Sequence, residues 1–156
     1  MTRPRVYGLM FGWAALAGLT NAPPAGAVGP SVIAIFHPWI AAPPGGAPTA
    51  AGYLTLKNLG KKPEIFLGGE SAVAQAVEIH SMSMTGGIMR MRAIPQGLTL
   101  QPGQVLTLRP GGGDHLMIIH PKHALEPGET VPAVLHFRGA GSVKVTFKVE
   151  APGTLP

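Results

Sequence analysis

Five of the chain's seven methionines lie between residues 82 and 117, in a stretch that starts just after His80 and contains His115. The first piece reads His80-Ser81-Met82-Ser83-Met84-Thr85-Gly86-Gly87-Ile88-Met89-Arg90-Met91, and the second His115-Leu116-Met117. Cysteine is absent from all 156 residues. Imidazole and thioether, without thiolate or a carboxylate cluster, form a donor set suited to a soft monovalent metal, above all Cu(I). A blue-copper electron-transfer centre is excluded, because it requires a Cys thiolate.

These donors meet only if strands carry them. Residues i, i+2 and i+4 of a strand share a face, so His80, Met82 and Met84 point one way, as do Met89 and Met91. A two-residue turn at Thr85-Gly86 or at Gly86-Gly87 sets even-numbered residues against odd-numbered ones, bringing both sets to one face. Gly-Gly suits the positive φ angles of such turns, whereas a three-residue loop would flip one set away. His115 and Met117 are another i, i+2 pair, able to address one ion from a single strand. Methionine also fills apolar cores, but here Ser81, Ser83 and Thr85 separate the thioethers at a hairpin tip, which favours ligation over packing. Glu78 shares the face of His80 and is either a partner for that imidazole or a solvated rim charge. Asp114 points to the face opposite His115. His120 and His123 read as surface residues of a turn, with a second metal site as the alternative. His37 is expected at a strand end and His136 on a solvent-facing position of the last hairpin.

The positioning elements read as short strands. Val32–Phe36, Gly52–Asn58, Val73–Met84, Ile88–Ala93, Leu98–Leu100, Val105–Leu108, Leu116–Ile119, Thr130–Phe137 and Ser142–Val149 are β-like, separated by turn signals such as Leu59-Gly60 and Pro110-Gly111-Gly112-Gly113. No stretch sustains a helical apolar period with caps. Eight or nine such strands predict an all-β fold, an antiparallel β-sandwich or Greek-key barrel. Ala133, Leu135 and Phe137 share a face with Val143, Val145, Phe147 and Val149 across Arg138–Gly141, a hairpin that buries one side.

Composition fits this class. The 22 Gly and 17 Pro supply turns, while 46% hydrophobic and 12% charged residues are unlike a disordered chain. Arg3 and Arg5, the uncharged apolar run Val6–Leu19 and Ala25-Gly26-Ala27 have the form of a secretory leader. The 14-residue run is shorter than the ~20 residues that span a bilayer. We therefore expect a signal peptide over 1–27, one domain over 28–156, and a periplasmic or otherwise exported product without a membrane span. Without Arg3 and Arg5 the balance is 10 basic against 7 acidic residues. That scattered excess offers no stripe for nucleic acid, though it would steer toward acidic partner surfaces. Export also makes the missing cysteines intelligible, since thiolates outside the cytosol tend to oxidise to disulfides.

The chain resembles the PCuAC family of periplasmic copper chaperones, whose signature is H-x10-M-x21-H-x-M. His80 and Met91 enclose ten residues, and His115-Leu116-Met117 supplies the closing H-x-M. Trp39, Ala51-Gly52-Tyr53 with Asn58, Gly87–Arg92, Pro110-Gly111-Gly112, and Leu135 with Phe137 extend the likeness from about Val32 to Val149. The chain departs from the pattern in four ways, one being that these 156 residues show no His/Met-rich C-terminal tail, so a second site of that type is not expected. Met91 and His115 enclose 23 residues, with the extra ones assigned near Pro95-Gln96 and in the Gly111–Asp114 loop. Thr85-Gly86 stands where an acidic pair is usual, and Ala41 where a basic residue often follows the Trp.

The resemblance implies a cupredoxin-like fold and one Cu(I) per chain held by His80, Met91, His115 and Met117. It also implies delivery toward the dinuclear copper centre of cytochrome c oxidase. Met82, Met84 and Met89 are candidate auxiliary thioethers. The expected protein is a non-enzymatic carrier, a monomer whose partner is a copper-accepting protein, either an oxidase subunit or another chaperone. Two other readings remain: an exported copper-buffering or resistance protein, and a metal-free β-sandwich for adhesion or assembly.

Overall fold

The computed structural model describes residues 32–45, 47–111 and 113–153. The expected leader over 1–27, with its cleavage site, lies outside the described residues. Ten strands and no helix are present among them: β1 Ile33–Ala41, β2 Thr49–Asn58, β3 Glu64–Glu70, β4 Ala74–Thr85, β5 Ile88–Ala93, β6 Leu98–Leu100, β7 Val105–Leu108, β8 Asp114–Pro121, β9 Thr130–Phe137 and β10 Gly141–Glu150.

Seven of the strands close a barrel. Neighbours run β4-β8-β2-β1-β10-β9-β3, and β3 returns to β4 through the pair Gly69↔Val77. Only β1 against β10 is parallel among these ladders. The other three strands lie outside the ring: β5 extends β4, β6 extends β3 and β7 pairs with β2. The all-β expectation therefore holds in its barrel form.

The interior follows the period-2 pattern. β2 alternates throughout, sending Leu54 and Leu56 inward and Tyr53 and Thr55 outward. Phe66 stacks on Phe137 with centroids 5.2 Å apart, and Leu100, Leu116, Leu135, Phe147 and Val149 fill the remainder. The last hairpin buries its expected face: Leu135 opposes Val143, Ala133 opposes Val145, and Val131 opposes Phe147. Buried Asn58 is fully used, donating to the Lys62 and Leu100 carbonyls at 2.8 and 3.0 Å and accepting from Gly60 N–H. Glu64 accepts from the Gly139 and Ala140 amides, fixing the β9–β10 turn to β3.

Two features depart from the sequence expectation. His37 does not end a strand. It lies inside β1 with φ 45°, where Phe36 pairs with Thr55 but Trp39 pairs with Tyr53, an extra residue inserted next to Pro38. Such a bulge is where a strand tolerates proline. It also inverts the alternation. Ile33 and Ile35 face inward before it and Ile40 and Ala42 after it, so Trp39 is turned to the outer face beside Tyr53. The second feature is β3, which the strand reading omitted because Gly68-Gly69 has the composition of a turn.

Those two glycines permit the barrel to close. β3 must touch both β9 and β4, and a register shift falls between Phe66 and Gly69. Gly68 has φ 95°, and a Cβ there would lie 2.9 Å from the Val77 carbonyl oxygen. A Cβ on Gly69 would lie 2.5 Å from the Val134 carbonyl oxygen. Backbone on both sides cannot give way as a side-chain tip would. Gly69→Ala is therefore expected to cost about 2 kcal/mol or more in chemical denaturation, as backbone strain or overpacking does. Gly45→Ala, which meets nothing within 4 Å, should change stability by less than about 0.5 kcal/mol. Equal effects of the two changes would show that the closure is not tight.

Candidate metal centre

The β4–β5 connection decides whether the donors meet. Thr85 pairs with Ile88, leaving Gly86-Gly87 as a two-residue turn with φ 59° and 77°. This is the second of the two expected turns. Met82 then opposes Met91, Met84 opposes Met89, and His80 opposes Ala93. On the other side of β4, His80 opposes His115 and Glu78 opposes Met117. Directly opposed residues share a face, so His80, Met82, Met84, Met89, Met91, His115 and Met117 all lie on one side, the outer side of the barrel. Ile79 and Leu116, paired on the other face, are core residues.

The β8 strand begins at Asp114 and runs to Pro121, beyond the expected 116–119 at both ends. Four successive residues in it are buried. Leu116 and Ile118 enter the core, while His115 and Met117, only 7% and 9% exposed, are covered on the outer side. Buried Trp39 and the Tyr53 ring, with centroids 4.7 Å apart, form an aromatic layer on the outer face beside these residues. Burial raises the Tyr53 pKa, so its hydroxyl stays protonated.

A cleft of about 320 Å³ opens over this face. Met82, Met91, His115 and Met117 line it, with Tyr53 and Arg109. His80 is not among the residues that line it, and its ring centroid is 6.2 Å from that of His115. Two imidazoles on one ion reach that separation when the nitrogen–metal–nitrogen angle is wide, given metal–nitrogen bonds of about 2 Å. The hairpin thioethers are far more open than those of β8, with Met91 52% exposed. Arg109 was not foreseen. It follows β7 directly before Pro110, and nothing in its neighbours' spacing ties it to the methionines. Ala41, standing where a basic residue had been anticipated, lines the same cleft.

Hydrogen bonds orient both rings. His80 Nε2–H donates to Glu78 Oε2 at 2.8 Å, so Glu78 is the imidazole's partner as well as a rim charge. His115 Nδ1 faces the Gly113 carbonyl at 3.4 Å. Burial lowers the His115 pKa, the Gly113 contact opposes this, the charge of nearby His80 adds to the lowering, and Asp114 opposes it. The result is an imidazole held neutral, the form a metal requires.

The other histidines stand apart. His120 is exposed within β8 at φ 43°, its Nδ1 2.8 Å from Gln75 Oε1, and His123 Nε2 is 2.7 Å from Glu129 Oε1. His136 Nδ1 lies 3.0 Å from Ser142 Oγ. Among the described residues, no three His, Cys, Asp or Glu side chains gather as a metal-holding group. The donor-rich place in the chain is the mixed imidazole and thioether face.

Known proteins share this architecture. The copper-bound PCuAC domain of PmoF2 is 29% identical, matches 81% of this chain and 97% of its own, and superposes with a TM-score of 0.66. The Cu(I) form of DR1885 from Deinococcus radiodurans is 28% identical, with 86% and 83% covered and a TM-score of 0.59. A curated relative, "Putative lipoprotein Lxx21020" of Leifsonia xyli subsp. xyli, is 28% identical over 118 residues, covering 76% of this chain and 69% of its own. The family model described as "Putative lipoprotein LpqE-like" matches residues 33–149. With that match across the whole barrel, the chain belongs to the LpqE-like family and has the fold of a PCuAC domain.

Proposed function

We propose that this chain is an exported Cu(I) carrier that holds one ion with His80, Met91, His115 and Met117 and gives it up to a copper-accepting protein. The observation that carries the reading is that two imidazoles and two thioethers from three neighbouring strands share the outer face of the barrel, with Met91, His115 and Met117 lining one cleft there. Copper in the PmoF2 and DR1885 relatives supports it, and their names extend to this chain only as such support. The dinuclear copper centre of cytochrome c oxidase is the proposed acceptor, on the strength of the family resemblance.

The hydrogen bonds select the ligating atoms. With Nε2–H of His80 donated to Glu78, Nδ1 keeps the lone pair for copper. With Nδ1 of His115 directed at the Gly113 carbonyl, Nε2 is left. Such partners set the tautomer and strengthen the ligand. Cu(I) is d¹⁰ and has no ligand-field penalty for dropping from four ligands to three, so a partner's donor can replace one of these at a time. Met91, the most exposed of the four, is the first to be exchanged. Export is proposed from the leader-like N-terminus and the lipoprotein relatives.

Competition with a Cu(I) chelator under reducing conditions tests the ligands. Met91→Ala and His115→Ala should each weaken binding by more than the roughly 10- to 100-fold typical of losing a supporting partner. Glu78→Gln should fall within that smaller range. Unchanged affinity in both alanine variants would remove the proposed site. Copper transfer to an apo oxidase copper domain then separates a carrier from a buffering protein, which would retain its ion.

The pH dependence has a defined sign. His115 has a lowered pKa, so its neutral form survives as pH falls to and below the ordinary 6.5. The unfolded chain takes up that proton first, so stability is unaffected by His115 above this value and falls as pH drops from it through the lowered value of the folded chain. Two-dimensional NMR of the copper-free chain should place the His115 titration below 6.5. A midpoint at or above that value would contradict the burial argument.

A further inference from the structure

The hairpin carries more thioethers than one ion needs. Met84 and Met89 oppose each other one rung beyond Met82 and Met91, toward the Gly86-Gly87 turn. Cβ atoms of opposed residues lie ~4.5–5.5 Å apart, and successive rungs on one face follow at about 7 Å, two residues of rise. The four residues are thus two stacked thioether pairs, running from the hairpin tip to the face that holds His115 and Met117. Packing does not account for the outer pair. Met84 is 66% and Met89 52% exposed, and neither is among the residues packed on the core. The opposite face of the same rungs carries Ser83, Thr85 and Arg90 with one apolar residue, Ile88, so the paired apolar side chains are confined to the methionine face. Leucine or valine would be as apolar at these positions and valine a better strand former. What methionine adds is a flexible side chain ending in a soft sulfur donor.

We propose that Met84 and Met89 form a second, weaker landing site for a soft monovalent ion, from which it steps inward to the site of Met91, His115 and Met117. The proposal rests on the Cu(I)-carrier reading above. The ion remains Cu(I) throughout. Thioethers and neutral imidazole bind through lone pairs, so each step replaces one neutral donor by another without moving an electron or a proton. A pair of sulfur donors alone binds weakly, which is what a site of passage requires. Met82, opposite Met91 and lining the cleft, is the bridge between the two.

The test uses the full chain carrying ¹³C-methyl methionine and the Met84→Leu/Met89→Leu double variant, with Cu(I) itself as the probe under anaerobic, reducing conditions. Leucine keeps the volume and apolar character of these exposed positions, so an apolar contact patch survives while the sulfur donors are lost. The first equivalent is expected to shift the Met91 and Met117 methyl signals, and excess Cu(I) the Met84 and Met89 signals. The double variant should load from a Cu(I) chelator several-fold more slowly, with its equilibrium affinity for the first equivalent unchanged. Equal loading rates together with unmoved Met84 and Met89 methyls would overturn the landing site and leave the four-ligand reading intact. Shifts confined to Met84 and Met89 from the first equivalent onward would uphold sulfur binding at the tip and overturn the inner site, so the two readings fail separately.

Discussion

The register of β4 is the constraint on which the site depends. This strand is paired antiparallel on both edges, with β5 through a two-residue turn and with β8 across the barrel wall. His80 stands beside His115 because Ile79 stands beside Leu116 and Val77 beside Ile118 on the reverse face, whereas Met82 stands beside Met91 through the Gly86-Gly87 turn. A one-residue slip between β4 and β8 would turn one strand's donors into the core and its apolar side chains into water. Each buried aliphatic group contributes about 1.5–3 kcal/mol, so the slip is strongly opposed. The positions of His80, His115 and Met117 are thus set by hydrophobic residues on the reverse face of the same two strands.

The same topology grades the donors by mobility. His115 and Met117 come from a strand flanked by β4 and β2 and buried on both faces, so their backbone moves only with the barrel. Met91 comes from β5, an edge strand outside the closed ring, every residue of which is exposed. Opening that hairpin disturbs little buried apolar surface, and segments of that kind sit at the low-stability end of a fold. A rigid half and a loose half of the donor face follow from where the strands lie, the division that the proposed carrier needs to retain an ion and to admit a competing ligand. The Trp39 bulge serves the rigid half, since without the extra residue in β1 the indole would face inward and the aromatic layer beside Met117 would be lost.

Local patterns were legible in the sequence and non-local ones were not. Gly86-Gly87 between alternating segments fixed the β4–β5 pairing to within one alternative, because turn geometry and side-chain period are properties of neighbouring residues. The i, i+2 relation of His115 and Met117 was legible for the same reason, as was the buried face of the last hairpin. What escaped were features imposed by distant partners. Gly68-Gly69 reads as a turn until β9 and β4 are both seen pressing on its backbone. His37-Pro38 reads as a strand end until Tyr53 is found paired with Trp39. Arg109 reaches the cleft through the placement of the β7–β8 connection, which no short-range spacing encodes. The site was therefore more readable than the barrel that holds it: its donors lie on two local strand motifs joined by a single cross-barrel pairing.

Charge argues for the monovalent ion independently of sulfur's softness. The proposed donors are neutral, and the carboxylate nearest them, Glu78, is tied to His80 and half in solvent. Arg109 adds a positive charge to the cleft. Taking an ion out of water costs a free energy that grows with the square of its charge, so a divalent ion incurs about four times the penalty of a monovalent one of equal size. Many sites for divalent ions offset that penalty with carboxylates or thiolates. Here thiolates are absent from the chain, and carboxylates are absent from the proposed donor set. In the proposed site, what the donor set omits favours Cu(I) over Cu(II) or Zn(II) as much as its thioethers do. A neighbouring guanidinium, repelling a second positive charge twice as strongly as the first, sharpens the distinction.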